Sequence, residues 1–477
     1  MFLLIWIVLS TSGYFLLNVI LNLNSDNKLN ENMPKKNLLL YALPSFVVGI
    51  IYLLVFYPGN VPNDTMWQWS QATKFQFDDW HPVMHSMLMA FLMRVWHTPA
   101  CIALFQIICL SITLGYSAYT LEKINAPKVF IWVWLGIIAI FPINGIYSVT
   151  ILKDTMFNIW FMFFSIILFN IYIYSGKWLD NKKNIMVFFI AIMGTLLMRH
   201  NGIYILLIFL PIYLFCQKVN RKKIAIIFSL SFIVYFIITI PIYKLLNVTP
   251  GLESEKYSVP VNVMAAIVKD GNNVTDEQKK QISDIMPIEI WKDKYNPILA
   301  DPIKSELRQH QSKYLENKVG FFTLLTKLSI QNPKQALKGY AAITNICWNI
   351  SDRSSIVRAY IGISPVRTEL KNDKSLVSSS KMPQLKNVLI SCINWKRFDI
   401  VWRPALYFFI VVFCSIILIL KKGFKSIAFL IPFYLNIILF MLTIPAQTFR
   451  YLYVNYLIAG FVVILTVYCA NYRRDLS

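Results

Sequence analysis

Apolar residues come in long runs along this chain, and that arrangement leaves it few folds to choose from. The runs near residues 2 to 21, 38 to 57, 99 to 120, 128 to 148, 155 to 175, 185 to 198, 202 to 217, 224 to 246, 401 to 420, 426 to 444 and 450 to 470 carry scarcely a charge. Most hold the roughly 20 apolar residues that a helix needs to cross about 30 Å of hydrocarbon. With 57% hydrophobic residues and a mean hydropathy of +0.54, a soluble domain of 477 residues is excluded. The expectation is an all-α polytopic membrane protein with about 11 transmembrane helices.

The runs at 185 to 198 and 202 to 217 are short. Joined as one helix they would span about 32 residues and roughly 48 Å, too long for one crossing, so they read as two crossings linked at Arg199, His200 and Asn201. Lys28, Lys35, Lys36, Lys123, Lys128, Lys177, Lys182, Lys183, Lys218, Arg221, Lys222, Lys223, Lys421, Lys422, Lys425, Arg473 and Arg474 then share one side. The opposite short loops hold only Lys74, Arg94, Lys153, Arg199 and Arg450. The positive-inside rule puts the first set in the cytoplasm, with the N-terminus outside. The first run lacks a basic leader and a small-residue cleavage site, so it reads as a retained span. The net charge of +22 follows largely from this asymmetry and from a lysine-rich polar insertion. Its natural partners are anionic membrane lipids, not nucleic acid. Seven cysteines form no CxxC pair, which argues against a disulfide scaffold or a cysteine metal site. Heavy use of Ile, Lys, Asn and Phe suggests an AT-rich genome, hence a bacterial cytoplasmic membrane.

Residues 1 to 246 read as a transmembrane block whose external loop, 58 to 98, carries candidate catalytic residues. Within that loop, 84 to 97 is apolar but too short to cross and reads as a helix lying at the outer face. Residues 247 to 400 read as a mainly helical extracytoplasmic domain. Thr275 followed by Gln278 is a capping-box pattern opening a helix, and 376 to 384 reads as a flexible loop. Residues 401 to 477 supply the C-terminal transmembrane helices.

Under this threading the unusual polar residues of five separate loops fall on the outer side, which points to an active site. Asp64, in VPNDTMWQW, is the foremost catalytic candidate; its alternative role is to cap the helix that follows. Trp67 and Trp69 offer sugar-stacking surfaces, or simply belong to the interfacial aromatic belt. Asp79 and His81 sit in DDWHPVMH. There His81 and His85, four apart, would share one helix face and could hold a divalent metal with Asp64 or Asp79 as third ligand; a hydrogen-bonded structural pair is the plainer option. Lys153 and Asp154 open the next external turn, where they either neutralise each other or divide, Lys153 meeting a phosphate and Asp154 facing the site. Arg199, His200 and Asn201 lie between two short helices that leave room for a polar head group, and arginine suits bidentate phosphate binding. Arg450 is a second clamp or a snorkelling interfacial residue.

The order of these features resembles the GT-C superfamily of membrane glycosyltransferases, to which dolichyl-phosphate-mannose protein mannosyltransferases and aminoarabinose transferases belong. Within it, PNDTMWQWSQA, DWHPVMHS, KDT, RHNG and the external VTDEQKKQI, WKDKYNP and ADP segments look like a bacterial branch of polytopic proteins, covering most of the chain. The chain departs from the pattern in its additional N-terminal span and in KDT. The resemblance implies inverting transfer of a sugar from a polyprenyl-phosphate donor to a cell-envelope glycan, lipid or protein. It also implies Asp64 as general base, Asp154 as second catalytic acid, and Lys153, Arg199, His200 and Arg450 on the donor phosphate. Trp67, Trp69, Asp79, His81 and Asn201 would face sugar or acceptor. A polysaccharide polymerase or ligase acting on undecaprenyl-diphosphate glycans is the alternative, and a lipid or glycan transporter a third reading.

Overall fold

A computed structural model describes residues 29–30, 33–251, 253–310, 317–351 and 357–469. The expected span at 2 to 21 and the basic pair Arg473 and Arg474 lie outside them. The described residues form helices, with strand pairing confined to isolated bridges. The first half contains α1 (Lys36–Val55), α2 (Asn63–Lys74), α3 (Val83–Val95), α4 (Pro99–Lys123), α5 (Lys128–Ile140), α6 (Pro142–Val149), α7 (Lys153–Ile173), α8 (Lys182–Leu197), α9 (Asn201–Cys216) and α10 (Arg221–Ile237). The insertion contains α11 (Ser258–Asp270), α12 (Asp276–Ile285), α13 (Ile288–Lys294), α14 (Asp301–Gln309), α15 (Lys318–Gln331), α16 (Pro333–Trp348) and α17 (Pro383–Asn394). The chain closes with α18 (Pro404–Lys422), α19 (Ile431–Thr443) and α20 (Tyr453–Cys469).

Seven helices among the described residues are long and apolar enough to cross a membrane: α1, α4, α7, Arg221–Leu245, α18, Phe424–Thr443 and Phe449–Tyr468. An eighth arises if α5 and α6 count as one span, broken by a 60° bend ahead of Pro142. Proline at the start of a helix has no backbone N–H to continue the preceding one, so the chain restarts there in a new direction. The protein is therefore a helical multi-pass membrane protein. The segments expected at 185 to 198 and 202 to 217 are the separate helices α8 and α9, 16 residues each and below the length of a full crossing. Gly202 permits the turn between them, since a Cβ there would run into the Thr195 carbonyl.

The short apolar helix expected at 84 to 97 is α3, 13 residues long. The Thr275–Gln278 capping box is complete, each side chain accepting from the other residue's backbone N–H. The insertion does not pack on itself alone. Val261, Met264, Trp291, Leu307, Leu328 and Ile343 share one apolar core with Ile437, Phe440, Ile444 and Leu452 of the last membrane helices. The segment from Val357 to Leu376 ties the two ends of the chain together, bridging Val357 to Thr448 and Ile363 to Val61.

Candidate functional site

Two loops far apart in sequence are laced together beneath the polar residues. Asn60 N–H donates to the Val149 carbonyl at 2.9 Å, Ile151 N–H donates to the Asn60 carbonyl at 3.0 Å, and the Thr65 hydroxyl donates to the Ile151 carbonyl. This lacing fixes the N-termini of α2 and α7 side by side. Each carries an aspartate in its first turn, where the positive end of the helix dipole favours a carboxylate. Pro62 is the N-cap of α2 and makes no side-chain cap, so Asp64 stands inside the first turn with its carboxylate aimed elsewhere.

That carboxylate meets two cations at one oxygen. Lys153 Nζ lies 2.9 Å from Asp64 Oδ2, and Arg450 Nη1 lies 3.0 Å from the same atom. Asp154 is fully buried and pairs with Arg199, while Arg450 Nε approaches its Oδ2 at 3.5 Å. Lys153 and Asp154, expected either to neutralise each other or to divide between a phosphate and the site, do neither in that form: Lys153 pairs with Asp64, and Asp154 is enclosed with Arg199 and Arg450. Burial pushes the Asp64 carboxyl up, but Arg450 and Lys153 outweigh it and hold the group well below the usual carboxylate range.

Aromatic rings hold the two guanidinium groups in place. Arg199 lies over Phe440 and Tyr451 at 4.8 and 4.9 Å; Arg450 lies over Tyr360 and Tyr451 at 5.2 and 4.9 Å and donates to the Tyr451 hydroxyl at 3.1 Å. Asn158, one turn after Asp154, donates to the Arg450 carbonyl at 2.9 Å and accepts from Val454 N–H at 3.0 Å, fixing the last helix against α7. Sequence reading missed Tyr360, Phe440 and Asn158. Only Asn158 left a sign, as one of two amides in a largely apolar span.

A second group adjoins the first. His200 Nε2 is 3.8 Å from Asp79 Oδ1. Burial and the Lys153 charge push His200 down to about 4 and His81 well below its ordinary value, so both rings are neutral at pH 7. Burial and the neighbouring Asp78 charge raise Asp79 to about 6. Trp80 stacks on His81 and meets Trp67 edge-on, and Arg308 and Arg367 cover these indoles at 5.1 and 4.1 Å. Trp67 and Trp80 remain partly exposed. Asn201 opens α9, half-buried.

Two expectations are corrected here. Trp69 is fully buried with its indole donating to Asp373 at 2.9 Å, so it offers no surface for stacking a sugar. His81 and His85 do not share a helix face, because Pro82 separates them and α3 begins at Val83. His85 is enclosed, its Nδ1 3.1 Å from Gln68 Oε1 in a network with Ser86 and Gln71. These residues do not fit a shared metal, and no group of three His, Cys, Asp or Glu side chains suited to one occurs among the described residues.

Taken together, fold and site define a multi-pass helical membrane protein with a buried, cation-rich cluster at converging helix N-termini. A family model described as a family of unknown function (DUF6020) matches residues 66–476, and the chain belongs to that family. No curated protein and no solved structure matches it.

Proposed function

We propose that the protein is a GT-C-type glycosyltransferase of a bacterial cytoplasmic membrane, moving a sugar from a polyprenyl-phosphate-linked donor to a cell-envelope acceptor on the outer face. The observation that carries the reading is the convergence of Lys153 and Arg450 on one oxygen of Asp64, with Arg199 behind them. A donor phosphate has the chemistry to take over those cationic contacts. Once it does, Asp64 is released from the charges that hold its basicity down and can act as base.

The step balances. The acceptor hydroxyl oxygen bonds to the anomeric carbon from the side opposite the phosphate, the carbon–oxygen bond to phosphate breaks, and the hydroxyl proton passes to Asp64. Polyprenyl phosphate leaves with the bonding electrons, its growing charge stabilised by Lys153, Arg199 and Arg450. Trp67 and Trp80 lie beside Asp79, and a sugar or acceptor stacks there by displacing the Arg367 and Arg308 guanidinium groups that cover the indoles.

The test is binding of undecaprenyl phosphate to purified protein in nanodiscs. Arg199→Lys should weaken it, because the ammonium keeps the charge and loses the planar fork. Arg450→Gln should weaken it further. Unchanged affinity in both variants would remove the phosphate site. Sidedness is tested with Ser379→Cys, at an exposed position. Labelling by an impermeant thiol reagent in intact cells supports an outer site, and labelling only after lysis would reverse the orientation.

A further inference from the structure

The glycosyltransferase reading takes a donor with a single phosphate, and the charge count of the cluster bears on what would hold it to that number. Three cations, Lys153, Arg199 and Arg450, surround two carboxylates, Asp64 and Asp154. One positive charge is left over. At the edge, Asp79 lies among the opposed charges of Asp78 and Lys256, and His81 and His200 add no charge at pH 7. The arginines cannot readily rearrange to enlarge this surplus, since Arg199 is held by Phe440 and Tyr451, and Arg450 by Tyr360 and Tyr451.

We infer that Asp64 determines the phosphate number of the lipid donor: its carboxylate consumes one charge of the Lys153–Arg450 seat, so that the site matches a single phosphate and rejects a diphosphate. The inference rests on the phosphate-lipid reading above. A sugar phosphodiester brings one negative charge into a seat with one to spare. A diphosphate brings at least one more, and the group it would face is Asp64 itself, only 27% exposed in its side chain and joined to both cations. Repulsion at such short range in a poorly hydrated site is a strong discriminator, and rejecting a wrong ligand by an unpaired like charge is a general route to specificity. Asp154 cannot play this part. It lies behind the arginines, fully buried, and its charge is shared by both lines of the clamp.

The experiment measures the affinities of the methyl esters of undecaprenyl phosphate and undecaprenyl diphosphate, which like the sugar-linked lipids carry one and two negative charges, for the full-length protein in phosphatidylcholine nanodiscs at constant salt. The wild type should favour the monophosphate at least tenfold. Asp64→Asn should bind the diphosphate at least tenfold more tightly than the wild type does, with a smaller gain for the monophosphate, so that the preference narrows or inverts. Asp64→Glu, which restores the charge, should keep the wild-type preference. An unchanged ratio in Asp64→Asn, or a wild type that favours the diphosphate, would overturn the inference while leaving the phosphate site standing. If Asp64→Asn does not fold, the wild-type ratio and that of Asp64→Ser decide in the same way. Failure of both lipids to bind the wild type and the asparagine variant would instead refute the phosphate-lipid reading, and the inference with it.

Discussion

Two ionic networks, each with a buried cation, sit in this protein, and they are built to opposite ends. In the insertion, Lys304 is 1% exposed and contacts Glu255 at 2.5 Å and Asp301 at 2.8 Å, and Arg308 joins Glu255 at 2.7 Å. Two cations meet two anions and nothing is left over. Around Asp64 and Asp154 the cations outnumber the anions, helix N-termini converge, and aromatic faces hold the guanidinium groups. A buried cation is thus common to both networks and marks neither as functional. The unbalanced charge does, because a surplus retained at the cost of desolvation implies a partner that supplies the missing sign.

The strongest way to break this contrast is Asp64→Asn. It should leave the protein folded and lower sugar transfer by about 10² to 10⁴, the usual worth of a general base. Wild-type turnover in the variant would remove Asp64 from the chemistry. Next in size, Asp154→Ala strands two buried arginines and should cost about 3 to 5 kcal/mol of stability, read as lost thermal stability in detergent. A variant as stable as the wild type would show that the arginines find other partners.

Lys304→Met sharpens the other side of the comparison. It should cost about 1 to 3 kcal/mol through the carboxylates it leaves behind, while undecaprenyl phosphate affinity stays at the wild-type value. A fall in affinity would mean that the balanced network also contributes to binding.

The smallest effect is a pH dependence. Asp79 is raised from 3.8 to about 6, so between those values the folded protein holds a proton that the unfolded chain has released. Its contribution to stability is present below about 4 and lost as pH rises through 6. His200, lowered from 6.5 to about 4, acts in the opposite sense, losing stability as pH falls below 6.5. Asp79→Asn should therefore gain melting temperature relative to the wild type at pH 7.5 more than at pH 5. Equal differences at the two pH values would contradict the shift.

The sequence made the polar residues conspicuous because charge within apolar surroundings is rare, and Asp64, Lys153, Asp154, Arg199, His200 and Arg450 do come together. Their pairing was not legible. Neighbours on a helix diverge by about 100°, so whether Lys153 or Asp154 faces inward depends on how α7 is rotated, and that is set by the lacing of Asn60 to Val149 and Ile151. Tyr360 and Phe440 carried no signal, since nothing in a tyrosine of the insertion or a phenylalanine of an apolar span announces an arginine partner. Trp69 looked like its neighbour Trp67, and only the rotation of α2 separates the buried ring from the half-exposed one. The long helices were plain from their length, whereas the shared core of insertion and terminal helices was not, because an apolar face does not state what will cover it.

The pairing of Asp154 and Asp64 with Arg450 also has a consequence for synthesis. Arg450 lies 292 residues beyond Asn158, the residue whose amide holds its carbonyl. At about 5 to 20 residues per second, roughly 15 to 60 seconds pass between translation of these two points. During that interval α2 and α7 are already made while Asp64 and Asp154 lack their final counterion. The nascent protein must wait for its last helix before these charges are neutralised, so a ribosome stalled between the two points would leave an inserted intermediate with an incompletely compensated ionic centre, a natural target for membrane quality control.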